Sequence, residues 1–515
     1  MRSPVFASKQ ENIWMRQSLL SLANQVDWWA MMAFGLPFFI YLLTLAPTLY
    51  NLDSAELTTA AATGGLVRAT GYPTYLILGR LWSWLPFGDV GFRLNLASAF
   101  YGAVAILCSE FILRRMQIKA WARFCAWGLL TIAPYFWAMS IIAEVYTLHL
   151  ALMGITILTL LRWVEKPTPF RFFLPVMLTT VGLGNHAATV LLVPAYVWFV
   201  LVSHPRHLRR PRTLIAGMIG VLLGTVVFLY LPLAYLQNPA FNYAGQFDAT
   251  GRFVPVDLTT LAGLRWLVTG QSFSGLMFGY QWPEIGPEIW KYAQQLWAAF
   301  FAIGIGPGLI GLVKSWQKDW RQGSLLSLVF LANAIFYINY RVVDKNTMFL
   351  PTYFIWAIWV GIGLQTILNW WQAQDDKGAL GRNAYFSSIV AWAIQGIVIV
   401  AVLLALFWNW SRVSLADDMS TRQQSEEILA LVEPEAIVFG WWETVPGIQY
   451  LQLVEGVRPD VLAINRFLIS GDDMLALIES ELDDRPIYIN SPPLELIQTT
   501  EITKIGPLFQ LHPRE

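Results

Sequence analysis

Long apolar segments separated by short polar loops make up the first 414 residues of the chain. Most of these segments approach the roughly 20 apolar residues that an α-helix needs to cross a bilayer core of about 30 Å. The pattern predicts about eleven transmembrane helices, although two pairs of segments are almost continuous and leave counts of ten or twelve open. The predicted spans are 28–47, 93–113, 120–140, 141–161, 172–187, 187–203, 213–236, 292–313, 324–340, 348–369 and 387–410.

A different periodicity begins after Arg412. Short apolar runs with the length of strands alternate there with amphipathic segments with the length of helices. This alternation predicts a small parallel-sheet α/β domain of about 100 residues. The domain carries no glycine-rich turn of the kind that holds phosphates, which argues against nucleotide binding. The predicted strands are 436–439, 461–464 and 486–489, and the predicted helices are 446–455 and 472–482.

Composition agrees with a membrane protein. The 515 residues are 56% hydrophobic and 13% charged, against a charged share of about 25% in soluble proteins. Such a chain is neither disordered nor a disulfide scaffold, and it lacks the basic surplus of a generic nucleic-acid binder. Its zero net charge hides a division, because residues 1–414 hold 28 basic and 16 acidic residues whereas residues 415–515 hold 6 and 18. We therefore predict two domains, 1–414 and 415–515.

The basic residues of the short loops predict the orientation of the chain, because cytoplasmic loops carry an excess of Lys and Arg. With the N-terminus in the cytoplasm, 19 of the 28 basic residues of the first domain fall inside. An odd number of spans then places the C-terminal domain outside. We expect a multi-pass protein of a prokaryotic plasma membrane without a cleavable signal peptide. The residues assigned to the cytoplasm are Arg2, Lys9, Arg16, Arg114, Arg115, Lys119, Arg123, Arg162, Lys166, Arg171, Arg206, Arg209, Arg210, Arg212, Lys314, Lys318, Arg321, Lys377 and Arg382.

The remaining polar residues of interest converge on the outer side. The first outer loop, 48–92, contains the carboxylates Asp53 and Glu56, and a second long outer loop, 237–291, is rich in glycine, proline and aromatic residues. A carboxylate at the edge of a span, such as Glu144, is costly without a partner. The other outer candidates are Arg68, Tyr72, Arg80, Arg93, His186, Arg341 and Asp344.

One carboxylate beside several arginines suits the transfer of a group from a lipid phosphate to a hydroxyl. The carboxylate acts as a general base on the hydroxyl, an effect worth about 10²–10⁴ in rate. Arginine holds the phosphate through paired, charge-assisted hydrogen bonds. A phosphate leaving group is a weak base, so it needs a cation more than it needs a general acid.

Each candidate also has a purely structural interpretation. Asp53 and Glu56 have the spacing of a helix-capping pair. The arginines suit lipid headgroups at the membrane interface, and His186 suits a hydrogen-bonded packing residue. Arg341 and Asp344 are close enough in sequence to pair with each other. Two carboxylates in one loop permit a divalent metal ion but do not require one.

Several motifs occur in an order that covers most of the chain. They are Asp53-Ser54-Ala55-Glu56, Gly71-Tyr72-Pro73-Thr74-Tyr75 through Gly79-Arg80, Ala143-Glu144-Val145-Tyr146-Thr147, Gly184-Asn185-His186, Tyr340 through Pro351, Tyr450-Leu451-Gln452 and Glu455 through Val461. On these motifs the sequence resembles multi-pass membrane proteins of a domain-of-unknown-function family in the GT-C glycosyltransferase superfamily. Eukaryotic relatives in that group include an endoplasmic-reticulum protein O-mannosyltransferase.

The resemblance implies that a sugar is taken from a polyprenyl-phosphate carrier on the outer face of the membrane. It implies that Asp53 is the general base and that Glu56 supports it or orients the acceptor. Within the substrate site, Arg80 and Arg93 are the expected contacts to the lipid phosphate. The full set of expected substrate-binding residues is Arg80, Arg93, Tyr72, Glu144, His186, Arg341 and Asp344.

Three positions depart from the family pattern. Ala55 replaces a glycine of the first motif. Ala69-Thr70-Gly71 replaces a His-Pro-Pro-Gly sequence, so any role of that histidine toward the substrate is missing or different here. The turn Gly440-Trp441-Trp442-Glu443-Thr444 lacks the usual Asn- and Asp-rich composition, which puts a polar role of that turn in doubt.

The sequence therefore predicts a GT-C-like helical membrane protein with a small C-terminal α/β domain. The predicted activity is the inverting transfer of a sugar, with mannose as one candidate, from a polyprenyl phosphate to the hydroxyl of a protein, lipid or polysaccharide. A transporter of lipid-linked sugars and a non-catalytic lipid or glycan sensor are the alternatives. Transporters place ionisable groups near the midplane, whereas the groups here lie at one surface. We expect the bilayer, the lipid-linked donor and the hydroxyl acceptor as partners, with no nucleic acid and no required cofactor.

Overall fold

Most of the described residues up to Val413 are helical, and an α/β domain follows. The computed structural model describes residues 27–376 and 384–514. The first part is a polytopic helical membrane domain, as its hydrophobic pattern predicts. Five basic residues assigned to the cytoplasm fall outside the described residues, and these are Arg2, Lys9, Arg16, Lys377 and Arg382.

The α-helices of the first part are numbered in chain order, and short 3₁₀ turns join some of them. They are α1 (Trp28–Thr44), α2 (Asp53–Thr63), α3 (Pro73–Ser83), α4 (Val90–Arg115), α5 (Ala120–Thr131), α6 (Pro134–Met139), α7 (Val145–Glu165), α8 (Pro169–Asn185), α9 (Val193–Ser203), α10 (Pro205–Leu208), α11 (Pro211–Thr225), α12 (Tyr230–Leu236), α13 (Leu261–Val268), α14 (Trp282–Ala299), α15 (Ile305–Lys318), α16 (Trp320–Ile338), α17 (Leu350–Asp376) and α18 (Ala384–Val413).

Six helical segments among the described residues are long and apolar enough to cross a membrane. Two shorter apolar segments, Trp28–Thr44 and Ala187–Ser203, accompany them. The predicted number of about eleven spans is therefore not confirmed, although a multi-pass membrane protein is. The six segments are Val90–Arg115, Val145–Glu165, Pro211–Leu236, Trp320–Ile338, Lys345–Ala373 and Gln395–Val413.

Two predicted spans are divided in the structure. The span predicted at 120–140 ends as α5 at Thr131, and Pro134 begins the separate helix α6. Proline suits the first position of a helix, where its missing N–H leaves no bond unmade. The span predicted at 292–313 breaks between α14 and α15, where Phe301 and Ala302 have φ angles of 51° and 60°. Residues with positive φ cannot continue a right-handed helix.

Among the described residues, helix α17 is the most buried of the long apolar helices. Of its most apolar stretch, 89% is buried. Glycines let α15 pack directly against it. A Cβ added at Gly311 of α15 would overlap the carbonyl of Trp359, and one added at Gly363 of α17 would overlap the carbonyl of Pro307. Only glycine allows the two backbones to approach this closely.

The first loop, 48–92, is folded against the beginning of α4. The Asn95 side chain donates hydrogen bonds to the carbonyls of Ala46 and Thr48 at 2.9 and 2.8 Å. Gly91 lies so close to the backbone of this segment that a side chain would overlap it. The chain that leads to Asp53 is thus held in place by α4.

The second loop, 237–291, contains a two-stranded antiparallel ribbon, β1 (Gly245–Phe247) and β2 (Phe253–Pro255). Helix α13 follows the ribbon. Leu267 of α13 is packed in a small apolar cluster with Leu66 of the first loop. The two loops therefore form one layer over the helical domain.

The C-terminal domain contains a five-stranded sheet with the strand order β4 (Leu462–Asn465), β3 (Ile437–Gly440), β5 (Ile487–Ile489), β7 (Leu508–His512) and β6 (Glu501–Ile505). The three predicted strands pair in parallel, as expected. Two further strands, which the sequence pattern did not predict, extend this parallel sheet in the antiparallel direction. Gly506 and Pro507 form a two-residue turn between them, and so tight a turn joins only antiparallel strands. The elements are α19 (Ser420–Leu431), β3 (Ile437–Gly440), α20 (Val445–Glu455), β4 (Leu462–Asn465), α21 (Gly471–Glu481), β5 (Ile487–Ile489), α22 (Leu494–Thr499), β6 (Glu501–Ile505) and β7 (Leu508–His512).

The C-terminal domain is packed on the first loop. Leu49 and Ala55 of the first loop are buried in one apolar cluster with residues of α19, α20 and the sheet. The Tyr450 hydroxyl accepts a hydrogen bond from the backbone N–H of Gly91 at 3.2 Å. Arg422 of α19 lies 3.7 Å from the Asp89 carboxylate and donates a hydrogen bond to the Thr48 hydroxyl at 3.4 Å. These contacts bring the carboxyl end of β3 to the first loop.

Candidate active site

A cavity of about 860 Å³ lies where the first loop, the second loop, the start of α7 and the C-terminal domain meet. Cavities that bind organic ligands usually measure about 300–1,000 Å³. Its polar lining includes Asp53, Arg68, Glu144 and Asp344. The remaining lining residues are Tyr50, Asn51, Leu52, Ala69, Met139, Ile142, Tyr146, Tyr243, Gly245, Gln246, Trp266, Ser272, Phe273, Val343, Thr347, Trp442, Glu443, Phe467 and Leu468.

Asp53 and Glu56 converge on one arginine, Arg68. The Arg68 guanidinium forms a short ion pair with the Asp53 carboxylate through Nη2. Its Nε lies 3.4 Å from Glu56 Oε2, and the Arg68 backbone N–H donates to Glu56 Oε1 at 3.0 Å. The two carboxylates differ in access, because 32% of the Asp53 side chain is exposed against 2% of Glu56. Asp53 therefore faces the cavity, whereas the buried Glu56 binds Arg68 without facing the cavity.

The helix start explains this arrangement. Asp53 is the first residue of α2, and Leu52 occupies the capping position with a φ angle of 55° and no side-chain cap. The capping interpretation of Asp53 and Glu56 is therefore wrong. Glu56 lies three residues further along the helix, which places both carboxylates near the same face. Both side chains are consequently available to Arg68.

Burial and charge act together on this cluster. Burial raises the pKa of Glu56, an effect that the Arg68 guanidinium opposes and the Asp53 carboxylate reinforces. Burial alone would lower the pKa of Arg68, but Asp53 and Glu56 outweigh it and raise the pKa above the usual arginine value. Arg68 therefore stays charged, and Glu56 holds its proton more readily than an exposed glutamate does.

An aromatic side chain of the C-terminal domain covers Arg68. The Arg68 guanidinium carbon lies 4.2 Å from the centre of the Trp442 ring, which is within cation–π distance. Trp442 follows β3, and its ring also contacts that of Tyr243 in the second loop at 5.4 Å. The C-terminal domain thus supplies part of the wall around the charged cluster.

Two further predicted residues, Glu144 and Asp344, line the same cavity. Glu144 precedes α7, and its Oε2 accepts a hydrogen bond from the N–H of Val145 at 3.3 Å. Asp344 precedes the 3₁₀ turn Lys345–Phe349. With Asp53 and Glu443 they make four acidic residues against one basic residue, Arg68, among the described lining residues. The described residues contain no group of three or more His, Cys, Asp or Glu placed to hold a metal ion.

The structure does not bring the two arginines expected at the lipid phosphate into the cavity. Arg80 donates to the carbonyl of Ala61 at 3.4 Å and covers the ring of Trp84. Arg93 donates to the backbone carbonyls of Ser83, Leu85 and Asp89. Both guanidinium groups thus bind other residues of the first loop.

Three other expected residues lie outside the cavity lining. Tyr72 and His186 are neighbours, with ring centres 6.1 Å apart, and His186 accepts a hydrogen bond from the N–H of Ala188. This matches the packing interpretation of the histidine. Arg341 lies 3.6 Å from Glu284 and 5.5 Å from the ring of Tyr280. The alternative in which Arg341 pairs with Asp344 is therefore wrong.

The sequence predicted for Arg68 only that it lies on the outer side of the membrane, and it did not single out Trp442. Arg68 carries no signal that separates it from Arg80, because both lie in the same loop. Trp442 carries a weak signal, since it follows a buried strand within a Trp-Trp pair. Arg68 and Trp442 come together because the C-terminal domain packs on the first loop.

Known proteins resemble this chain in sequence and in fold. Residues 53–209 match the family described as the N-terminal domain of protein O-mannosyl-transferase TMEM260. The matched region begins at Asp53. It includes both carboxylates of the cluster, Arg68 and Glu144.

The solved structures of ArnT from Cupriavidus metallidurans resemble this structure over almost its whole length. The ArnT bound to undecaprenyl phosphate has a TM-score of 0.57 at 13% identity, covering 94% of this chain and 98% of that chain. Its apo form has a TM-score of 0.58 at 14% identity, with coverage of 94% and 97%. The protein has the GT-C fold. The predicted fold class is confirmed.

Two curated relatives carry the TMEM260 name. The Dictyostelium discoideum protein O-mannosyl-transferase is 20% identical, covering 87% of this chain and 62% of the relative. The Mus musculus protein is 24% identical, covering 84% of this chain and 61% of the relative. The chain is therefore similar in sequence to these two TMEM260 O-mannosyl-transferases, and it spans about three fifths of their length. Both relatives are eukaryotic, so they do not support the expected prokaryotic plasma membrane.

Proposed function

We propose that this protein is a membrane glycosyltransferase that moves a sugar from a polyprenyl phosphate to a hydroxyl acceptor. One observation carries the proposal, namely that Asp53 and Arg68 lie together in the wall of a large cavity. A carboxylate that accepts a proton and a cation that binds phosphate are the two groups the reaction needs. The likeness to an ArnT bound to undecaprenyl phosphate supports the choice of donor.

In the proposed reaction, Asp53 takes the proton of the acceptor hydroxyl. The oxygen attacks the anomeric carbon of the sugar from the side opposite the phosphate. The bond between that carbon and the phosphate oxygen breaks, and the phosphate leaves with the electron pair. A single displacement of this kind inverts the anomeric configuration.

Arg68 takes the phosphate-binding role that the sequence assigned to Arg80 and Arg93. In the structure its guanidinium is paired with Asp53. We propose that the donor phosphate replaces Asp53 as a partner of Arg68, which frees the carboxylate to act as a base once the donor is bound. Glu56 is a positioning residue in this scheme, because it contacts Arg68 and is 2% exposed.

Mannose is the proposed sugar and a protein hydroxyl is the proposed acceptor. Both choices rest on the two relatives named as protein O-mannosyl-transferases. We also propose that the cavity faces the side of the membrane opposite the cytoplasm. The basic loops predict this orientation.

Substitution of Asp53 tests the proposal. Purified protein in lipid nanodiscs is supplied with polyprenyl-phosphate mannose and a pool of synthetic serine- and threonine-containing peptides. The Asp53→Asn variant is expected to lose about 10²–10⁴ in the rate of mannose transfer while its thermal unfolding stays unchanged. The matched control is Asp417→Asn, an exposed aspartate of the linker before α19.

Transfer by Asp53→Asn at the wild-type rate would refute the assignment of the base. A wild-type protein that moves the donor between leaflets without releasing polyprenyl phosphate would support the transporter instead. Analysis of the product by NMR provides a further check, since a retained anomeric configuration contradicts a single displacement.

A further inference from the structure

A second cavity of about 400 Å³ lies between the second loop and the C-terminal sheet. Its volume falls within the range of pockets that bind ligands. One wall is the segment 238–243 with the β1–β2 ribbon, and the other is α20 with the approach to β4. Its lining includes Tyr243, Gln449, Gln452, Leu453, Val461 and Ala463. We call this cavity the edge groove.

Tyr243 connects the edge groove to the Asp53 cavity, because it lines both. Its hydroxyl donates a hydrogen bond to Oε1 of Gln449 in the groove. Its ring packs at 5.4 Å on that of Trp442, which covers Arg68. The edge groove therefore adjoins the cavity that holds the charged cluster, with the Tyr243 side chain between them.

The chemistry of the groove differs from that of the cavity. None of the described residues that line the groove carries a charge, whereas five charged residues line the cavity. Amides, aromatic rings and prolines make up much of the groove wall. Such a surface offers no cation for a phosphate, and it suits a neutral polymer with alternating donors and acceptors.

A sheet edge lies along the groove. Strand β4 is at the end of the sheet order, and on its outer side amide side chains of α20 bond to its backbone carbonyls where a further strand would otherwise pair. The side chains of Gln449 and Gln452 donate to the carbonyls of Ala463 and Val461 at 3.1 and 2.7 Å. Among the described residues, none donates a hydrogen bond to Oε1 of Gln452, which leaves this oxygen available to a backbone N–H of a ligand.

We propose that the edge groove binds an extended segment of the acceptor polypeptide and delivers its hydroxyl to Asp53. This inference rests on the proposed function and adds the site at which the acceptor binds. A peptide is favoured over a lipid-linked group because the lining is neutral, contains amides and follows a sheet edge. A neutral oligosaccharide is the competing occupant.

A charged side chain placed at the groove tests the proposal. Leu453 of α20 lines the groove and is 37% exposed, so Leu453→Arg adds a charge and bulk without disturbing the core. The matched control is Leu494→Arg, which changes a 75% exposed leucine of the same domain outside the groove lining. Full-length protein in nanodiscs is titrated with a pool of fluorescent serine- and threonine-containing peptides, and binding is followed by anisotropy.

We expect Leu453→Arg to weaken peptide binding by about tenfold or more, or about 1.4 kcal/mol. Leu494→Arg should bind as the wild type does, and both variants should unfold at the wild-type temperature. Equal binding by the two variants would overturn the proposal. So would a neutral oligosaccharide that binds the wild type in place of the peptides and is weakened by Leu453→Arg.

A separate measurement distinguishes the groove from the proposed activity. Hydrolysis of polyprenyl-phosphate mannose in the absence of peptide, in which water accepts the mannose and polyprenyl phosphate is released, depends on the Asp53 cavity alone. It should be equal in the wild type and Leu453→Arg. Peptide binding without any release of polyprenyl phosphate would refute the proposed function but not the role of the groove. Release of polyprenyl phosphate without peptide binding would refute the role of the groove but not the proposed function.

Discussion

The centre of the Trp442 ring lies 4.2 Å from the guanidinium carbon of Arg68. This contact joins the C-terminal domain to the first loop at the charged cluster. A cation over an indole ring gains about 0.5–2 kcal/mol, with more where water is excluded, and Trp442 is 7% exposed. The contact fixes the guanidinium between an aromatic surface on one side and two carboxylates on the other.

Trp442→Ala is expected to lower kcat/KM for sugar transfer by about 2- to 30-fold, the equivalent of the lost cation–π contact. Trp442→Tyr should keep most of the activity, because a smaller aromatic ring still faces Arg68. The control is Trp441→Ala, since Trp441 stacks on Arg466 at 4.1 Å but is not part of the cavity lining. An equal loss in both alanine variants would show a general effect of domain packing.

Arg68→Gln is expected to lower the rate of sugar transfer by about 100-fold, since a charge-assisted bond to phosphate contributes about 1.5–3 kcal/mol. Arg68→Lys should recover part of this loss, because lysine keeps the charge but not the planar fork. Arg80→Gln is the control, and its rate should stay within a few-fold of wild type. A larger loss at Arg80 than at Arg68 would restore the phosphate role that the sequence predicted for Arg80.

Glu56 should make protein stability depend on pH. Burial raises its pKa, so the folded protein keeps a proton that the unfolded chain has lost. Stability should therefore fall as the pH rises above the ordinary glutamate pKa of about 4.3. Glu56→Gln should flatten this decline in thermal unfolding measured across pH. Glu479→Gln, an exposed control on α21, should leave it unchanged; a decline that persists in Glu56→Gln has another origin.

Arg93 is expected to matter for stability and not for donor binding. Its guanidinium donates to three backbone carbonyls, those of Ser83, Leu85 and Asp89. Arg93→Gln leaves some of them without a partner, at a cost of about 1–3 kcal/mol each for a buried group. Thermal unfolding should fall while KM for the donor per folded molecule stays constant. The exposed Arg252→Gln is the control, and a raised donor KM in Arg93→Gln alone would contradict this role.

Local pattern was enough to predict the class of fold. Runs of apolar residues long enough to cross a bilayer predict membrane helices wherever they occur, and the change of period after Arg412 predicts an α/β domain. The number of spans did not follow in the same way. Pro134 and the positive φ angles near Phe301 divide two apolar runs, and hydropathy alone does not respond to backbone geometry.

The first motif was also readable, because Asp53 and Glu56 are neighbours on one helix and their spacing is local. Arg68, Arg80 and Arg93 are equivalent in the sequence, since each is a basic residue on the same predicted side of the membrane. Only the folded first loop distinguishes them. In the folded loop, Arg68 pairs with the two carboxylates, whereas Arg80 and Arg93 donate hydrogen bonds to backbone carbonyls.

The helical membrane domain, the C-terminal α/β domain and the pair of carboxylates near the first span all follow from neighbouring residues, so local pattern was enough to predict them. The set of side chains that share a cavity follows only from the folded chain, because it depends on contacts between residues far apart in the sequence. Trp442 shows the difference. Nothing near it in sequence points to Arg68, and the two meet only because α20 and the sheet pack on the first loop.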